Sequence, residues 1–220
     1  MCSNYTPGRK ERNEEHFGVR FEELDERPNR IFAGGMAPII KPKQSIGELQ
    51  AVEACFGIVP HWAQMKLAKQ TYNARTETVA EKPSFRNAWK KKQFCIIPAE
   101  SFCEPCYETG KSVWWEISHA KDRPIGIAGI WEWKADGPDG KPLHSFSMLT
   151  INADGNSLME RFHKPGDEKR MIVILHPNQY ATWLSGELVS APDQFEQYPA
   201  DQLVAHPLIQ PPGKQLDIAA

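Results

Sequence analysis

Apolar runs in the second half of the chain set its character. Val113 to Ile117, Ile125 to Trp131, Phe146 to Ile151 and Met171 to Leu175 are short and rich in β-branched or aromatic residues. Runs of this length and composition predict strands. Asp136-Gly137 and Asp139-Gly140 mark the turn between two of them. Ser157 to Phe162 predicts a helical turn that delivers His163, Lys164 to Lys169 a polar loop, and Asn178 to Leu184 a helix. Pro192, Pro199, Pro207 and Pro211-Pro212 break the remainder of the chain into short pieces, leaving a Pro-rich C-terminal tail from about residue 208.

The first half is more interrupted. Thr6-Pro7 predicts the opening of a charged helix running to about Phe17. Residues 26 to 47 carry Pro28, Gly34, Gly35, Pro38, Pro42 and Gly47, so loops with short extended pieces are expected there. Val52 to Val59 reads as a strand ending at Pro60-His61-Trp62. A helical turn is expected over 64 to 70 and a polar loop or helix entry over Tyr72 to Thr78. A helix is expected from Pro83 through Trp89 into Lys90-Lys91-Lys92, and a strand over Phe94 to Pro98. Glu100 to Cys106 is compact and mixed. Strands outnumber helices and do not alternate with them. The expected class is α+β: a single domain over residues 1–220, with a mainly antiparallel β-sheet or barrel core and flanking short helices.

Composition narrows the function classes. A net charge of −2 gives no global attraction to nucleic acid, so such binding needs a local patch. No apolar run approaches the ~20 residues that cross a membrane. The first residues, with Arg9, Lys10, Glu11, Glu14 and Glu15, lack the apolar segment of a signal peptide, so the expected location is cytoplasmic. Five cysteines at irregular spacing do not form a disulfide framework and are read as thiols. Cys103-Glu104-Pro105-Cys106 has half the spacing of a zinc site, but no second ligand pair completes it, so neither a metal nor a cofactor is expected. Gly34-Gly35 lacks the lysine-serine pair of a phosphate loop.

Met1-Cys2 offers distinctive chemistry. Once Met1 is removed, Cys2 carries an α-amine and a thiol on adjacent carbons. With ordinary pKa values of ~7.7–8.0 and ~8.5, both are partly available as nucleophiles near neutrality. An aldehyde can condense with the amine, and the thiolate can close a five-membered thiazolidine. On position alone Cys2 is an incidental terminal residue, and residues downstream must supply the site. Glu104 and His163 are candidate acid–base groups. Trp62, at a strand end, could stack on a base. Arg75, beside Asn73 and Glu77, is placed like a site residue rather than a member of a solvated charge run. Each taken alone has a plainer reading: aromatic as core, charge as surface.

In combination they are more specific. Met1-Cys2, Asn73-Ala-Arg75-x-Glu77, Phe85-Arg86-x-x-Trp89, Ile97-Pro98-Ala99-Glu100-x-Phe102-x-Glu104, and His163 before Arg170-Met171 stand in one order. In order and spacing they resemble the SRAP family, SOS response-associated peptidases whose members shield abasic sites in DNA. The resemblance implies that Cys2, freed of Met1 by self-processing, captures the ring-opened sugar aldehyde as a thiazolidine. It implies that Asn73 holds the ring, Glu104 acts as general acid/base and His163 assists proton transfer. It further implies DNA contacts from Arg75, Arg86 and Arg170, a stacking or wedging role for Trp62, and single-stranded DNA or single-strand/duplex junctions with abasic sites as partner. Imine formation needs one proton removed and another supplied, which a carboxylate and an imidazole near neutrality can do.

The sequence also departs from the family pattern. Ser3-Asn4 replaces Gly-Arg, Phe32 to Pro38 replaces a Tyr-Asn-x-x-Pro segment, and Cys103 and Pro105 flank Glu104 in place of Tyr and Trp. The loop from His163 to Arg170 is longer than usual, and Ile172 replaces a proline. Three other readings compete. An N-terminal-nucleophile cysteine amidohydrolase also uses a processed Cys2, but its usual Asn-Gly oxyanion pair is missing. A non-catalytic nucleic-acid-binding module would make Cys2 incidental. A peptidase acting on other proteins would need a substrate groove that the sequence does not reveal.

Overall fold

The computed structural model describes residues 2–22, 28–43, 47–189, 195–209 and 212. The chain opens with β1 (Asn4–Thr6), α1 (Lys10–Phe17), β2 (Ile31–Phe32), β3 (Met36–Pro42) and β4 (Leu49–Phe56). Next come β5 (Asn73–Arg75), α2 (Arg86–Lys90), β6 (Phe94–Ala99), β7 (Ser101–Cys106) and β8 (Val113–His119). The long hairpin β9 (Ile125–Lys134) and β10 (Leu143–Asn152) is next, then β11 (Arg170–Ile172), β12 (Ile174–Leu175), α3 (Tyr180–Ser185) and β13 (Leu203–Pro207). The class is α+β, as expected, with strands forming a barrel-like core.

Five strands close a ring. β10 pairs with β4 in parallel and with β9 antiparallel, and β4, β3, β6 and β9 complete the circuit. Period-two alternation then decides which side chains enter it. On β9, Ile127, Gly129 and Trp131 turn inward. A Cβ on Gly129 would lie 2.6 Å from the Ile97 Cδ1 and 3.0 Å from the Cys95 Sγ, so this crossing excludes a side chain. Phe94, Ile130 and Glu132 face outward under α2 and α3. There Phe94 packs on Trp183 at 4.4 Å and Asn87 donates to Glu132 at 2.6 Å. The Trp183 indole satisfies its N–H on the Cys95 carbonyl at 2.8 Å. A second sheet, in the order β13-β8-β7-β1-β2, packs its apolar residues into the same buried cluster.

Several local expectations are corrected. Residues 36–42 form a seven-residue strand despite two prolines. Only Ile40 is registered to β6, so Pro38, which has no N–H, breaks no ladder on that side. Tyr72 to Thr78 is not a helix entry: β5 lies parallel to β10, with Asn73 opposite Met148. Ser101–Cys106, within the segment read as compact and mixed, becomes β7, paired on both sides. The helix expected from Pro83 is confined to Arg86–Lys90, with Lys92 already at φ +51°. Met171 to Leu175 is split at Val173 into β11 and β12, which join different neighbours. Of the expected interrupted region 26–47 and the Pro-rich tail, residues 26–27, 44–46, 210–211 and 213–220 lie outside the described residues.

Candidate active site

Cys2 leads into β1, which is held between β2 and β7. It is wholly buried, its thiol donates to the Asn4 carbonyl at 3.3 Å, and its own carbonyl accepts the Asn73 Nδ2 at 2.9 Å. The Asn73 Oδ1 is buried and has no hydrogen-bond partner among the described residues. A parallel strand pairing therefore brings a residue 71 positions away against the terminus. Burial pushes the Cys2 thiol well above its ordinary pKa, and the charge of Glu104 pushes it further. Its nitrogen is in an amide with Met1 in this chain, so the amine–thiol pair requires cleavage of that bond.

Glu104 projects from β7 and is 1% exposed. His163 follows the short turn Met159–Arg161, as expected, and its Nδ1 stands 3.6 Å from the Glu104 carboxylate. The other ring nitrogen faces the Arg170 carbonyl at 2.9 Å. A carbonyl can only accept, so Nε2 carries the hydrogen, and Nδ1 is the ring nitrogen that faces Glu104. The backbone fixes this orientation. His163 sits in the left-handed region at φ +66°, and its N–H donates to the Pro105 carbonyl at 2.9 Å. Lys169 gathers the carbonyls of Phe162 and His163 at 2.7 and 3.3 Å.

Arg170 departs from the expected DNA contact. Its side chain is 3% exposed, and both terminal nitrogens bind the Glu77 carboxylate, at 2.8 and 2.9 Å. It also reaches Glu168 at 2.8 Å and the Thr150 carbonyl at 2.7 Å. With both terminal nitrogens engaged and the Nε buried without a partner among the described residues, the guanidinium ties β11 to the segment after β5, while the Arg170 backbone carbonyl faces His163. Arg75, Arg86 and Trp62 are on the surface, Trp62 at 58% exposure. Arg75 is paired with Glu168 at 2.7 Å, so a phosphate must compete for it.

The structure thus joins Cys2 to Asn73 and Glu104 to His163, with Cys2 inside the field of Glu104. Sequence reading passed over Glu77, Glu168 and Lys169 as supports of the site. Glu77 stands within the Asn73-Ala-Arg75-x-Glu77 segment and was legible there; the other two sit in a loop with no signal. Tyr72 was also missed. Its phenol is pushed up by burial, then by the charges of Cys2 and Glu104, which puts it at the edge of the same cluster. Cys103 and Cys106, three apart on a strand, leave β7 on opposite faces and cannot share a ligand. A cavity of about 650 Å³ beside α1, lined by Arg9, Arg12, Glu100 and Asp122 among others, holds none of the four chemical residues.

The family model for SOS response associated peptidase (SRAP) matches residues 1–211. The Bacillus subtilis (strain 168) abasic site processing protein YoqW is 34% identical over 157 residues, covering 69% of this chain and 66% of its own length. The Mus musculus abasic site processing protein HMCES is 27% identical over 186 residues, 70% of this chain and 50% of its own. The aligned part of the chain therefore spans about half to two thirds of these relatives. A crystal structure of a Bordetella bronchiseptica protein is 36% identical, with a TM-score of 0.82 over 94% of this chain and 99% of that one. With its chemical residues gathered at one terminus and this match over nearly its whole length, the chain belongs to the SRAP family.

Proposed function

We propose that the protein processes abasic sites in DNA by covalent capture at Cys2. The observation that carries this reading is the convergence of Asn73, Glu104 and His163, from three distant segments, on a cysteine one residue from the chain start. The names of the relatives as abasic site processing proteins support the substrate class.

The reaction has two stages. Hydrolysis of the Met1–Cys2 amide releases Met1 and frees the α-amine, with Glu104 taking a proton from the attacking water. The amine then adds to the C1′ aldehyde of the ring-opened sugar, and water leaves as the imine forms. The Cys2 thiol gives up its proton and its sulfur adds to the imine carbon, while the nitrogen regains a proton, closing the thiazolidine. Glu104 and the Nδ1 of His163 relay these protons. Arg75, Arg86 and Trp62 hold a single strand or a single-strand/duplex junction around the gap. The protein serves the DNA-damage (SOS) response in the cytoplasm, on the nucleoid when bound.

Processed protein is incubated with single-stranded DNA carrying one abasic site, then heated in detergent. A shifted band is expected with wild type and none with Cys2→Ala. Protein lacking Met1 that yields no such band sinks the proposal.

A further inference from the structure

The far end of the five-stranded ring holds a charge that the chemistry at Cys2 does not use. Lys41, near the end of β3, is 7% exposed. Its ammonium sits 4.4 Å from the centre of the Trp131 ring. Among the described residues it has neither a hydrogen bond nor an ion pair. The ammonium is thus held by its stem and an aromatic face rather than by an anion, which leaves its charge available to an incoming one.

The immediate neighbours share its sign or are neutral, and Glu48, the acid just before β4, is paired with Lys43 at 2.9 Å. The register of Ile40 to Ile96 places Lys41 beside Cys95 on the inward face, and the next inward positions of β9 are Trp131 and Trp133. His144, opposite Trp133 on β10, stands with its ring 5.6 Å from that of Trp131. The Trp131 indole N–H is buried and has no acceptor among the described residues. Glu132, the nearest acid along β9, points to the outer face and is bonded by Asn87. One end of the ring thus offers an ammonium, an indole N–H and an imidazole, with nothing negative among them.

We propose that this end of the ring is a binding site for a phosphate group, held by Lys41, Trp131 Nε1–H and His144. Three donors of this kind match the several acceptor oxygens of a phosphate. Trp133, 47% exposed at the rim, supplies a ring face for whatever carries the phosphate. Burial pulls the Lys41 ammonium below its ordinary pKa, and burial followed by the charge of Lys41 does the same to His144. A bound dianion favours the charged form of both.

The test compares sodium phosphate with sodium chloride at matched ionic strength. Wild type is expected to show a saturable rise in unfolding midpoint with phosphate, kept in Arg75→Ala. Lys41→Met, which keeps the stem and removes the charge, is expected to weaken phosphate binding at least tenfold. Should Lys41→Met fail to fold, the His144 ring signals in wild type are followed by NMR, and phosphate is expected to raise the His144 pKa. Equal midpoints in the two salts, an undiminished phosphate effect in Lys41→Met, or an unmoved His144 titration each overturn the proposal. A deoxynucleoside 5′-monophosphate run in parallel identifies the source. Binding tighter than inorganic phosphate, lost in Trp133→Ala, assigns a nucleotide; equal binding assigns free phosphate.

Discussion

His163 Nδ1 lies 3.6 Å from the Glu104 carboxylate while its other ring nitrogen is committed to the Arg170 carbonyl at 2.9 Å. The pair therefore sets one ring nitrogen toward a carboxylate, with both groups largely buried on β7 and the loop after Phe162. Replacing Glu104 by Gln keeps the shape and removes the base. The expected outcome is a crosslinking rate lower by about 10²–10⁴-fold, the usual worth of a positioned acid–base group. Single-turnover crosslinking on a denaturing gel measures it.

The same substitution has an opposite effect on the thiol. Glu104 is the second cause, after burial, of the raised Cys2 pKa. Removing a negative neighbour favours the thiolate, so Cys2 in Glu104→Gln is expected to titrate at lower pH and to alkylate faster at a fixed pH. Peptide-resolved mass spectrometry of iodoacetamide labelling separates Cys2 from the four other buried thiols. An unchanged Cys2 profile contradicts the coupling.

Asn73→Ala deletes the 2.9 Å bond to the Cys2 carbonyl without touching a proton-transfer group. One such bond is worth about 0.5–1.5 kcal/mol, so a loss of about two- to tenfold in crosslinking rate is expected, with the pH profile unchanged. A shifted profile would instead make Asn73 part of the proton relay.

Arg170→Ala is expected to act on stability. Removing one partner of a fully buried ion pair costs roughly 3–5 kcal/mol, and the cost here is expected to fall below that range because the carboxylates left behind, Glu77 and Glu168, are about half exposed. Hydrogen bonds from Arg170 lower the pKa of both glutamates. Their contribution is present above the unfolded carboxylate pKa and is lost as pH falls through the depressed folded values. Denaturant unfolding across the acid range should show wild type losing stability on that limb and Arg170→Ala losing less.

Glu168→Gln should tighten DNA binding. It releases Arg75 from a 2.7 Å ion pair at the surface. Arg75→Ala and Arg86→Ala should each reduce the salt dependence of single-strand binding by about 0.7 in log–log slope. Fluorescence anisotropy at several salt concentrations reads both effects.

Much of this was legible in the chain itself. The runs at 113–117, 125–131 and 146–151 became strands because alternation and β-branched content act locally, and the turn residues 136–140 closed the hairpin between the last two. The order of Cys2, Asn73, Glu104 and His163 along the chain pointed to the family. What the sequence could not decide was partnership. Nothing local distinguishes Tyr72 to Thr78 from a loop; Asn73–Arg75 within it is a strand because β10 offers it an edge to pair with. Arg170 reads as one more surface cation until the pairing of β11 with β10 carries it inward, where burial and two carboxylates fix it. Lys41, followed by Pro42 in a stretch read as loops with short extended pieces, comes to lie over Trp131 only when the ring closes around it. Burial and pairing belong to the closed sheet rather than to any segment, so tertiary structure alone assigned these roles.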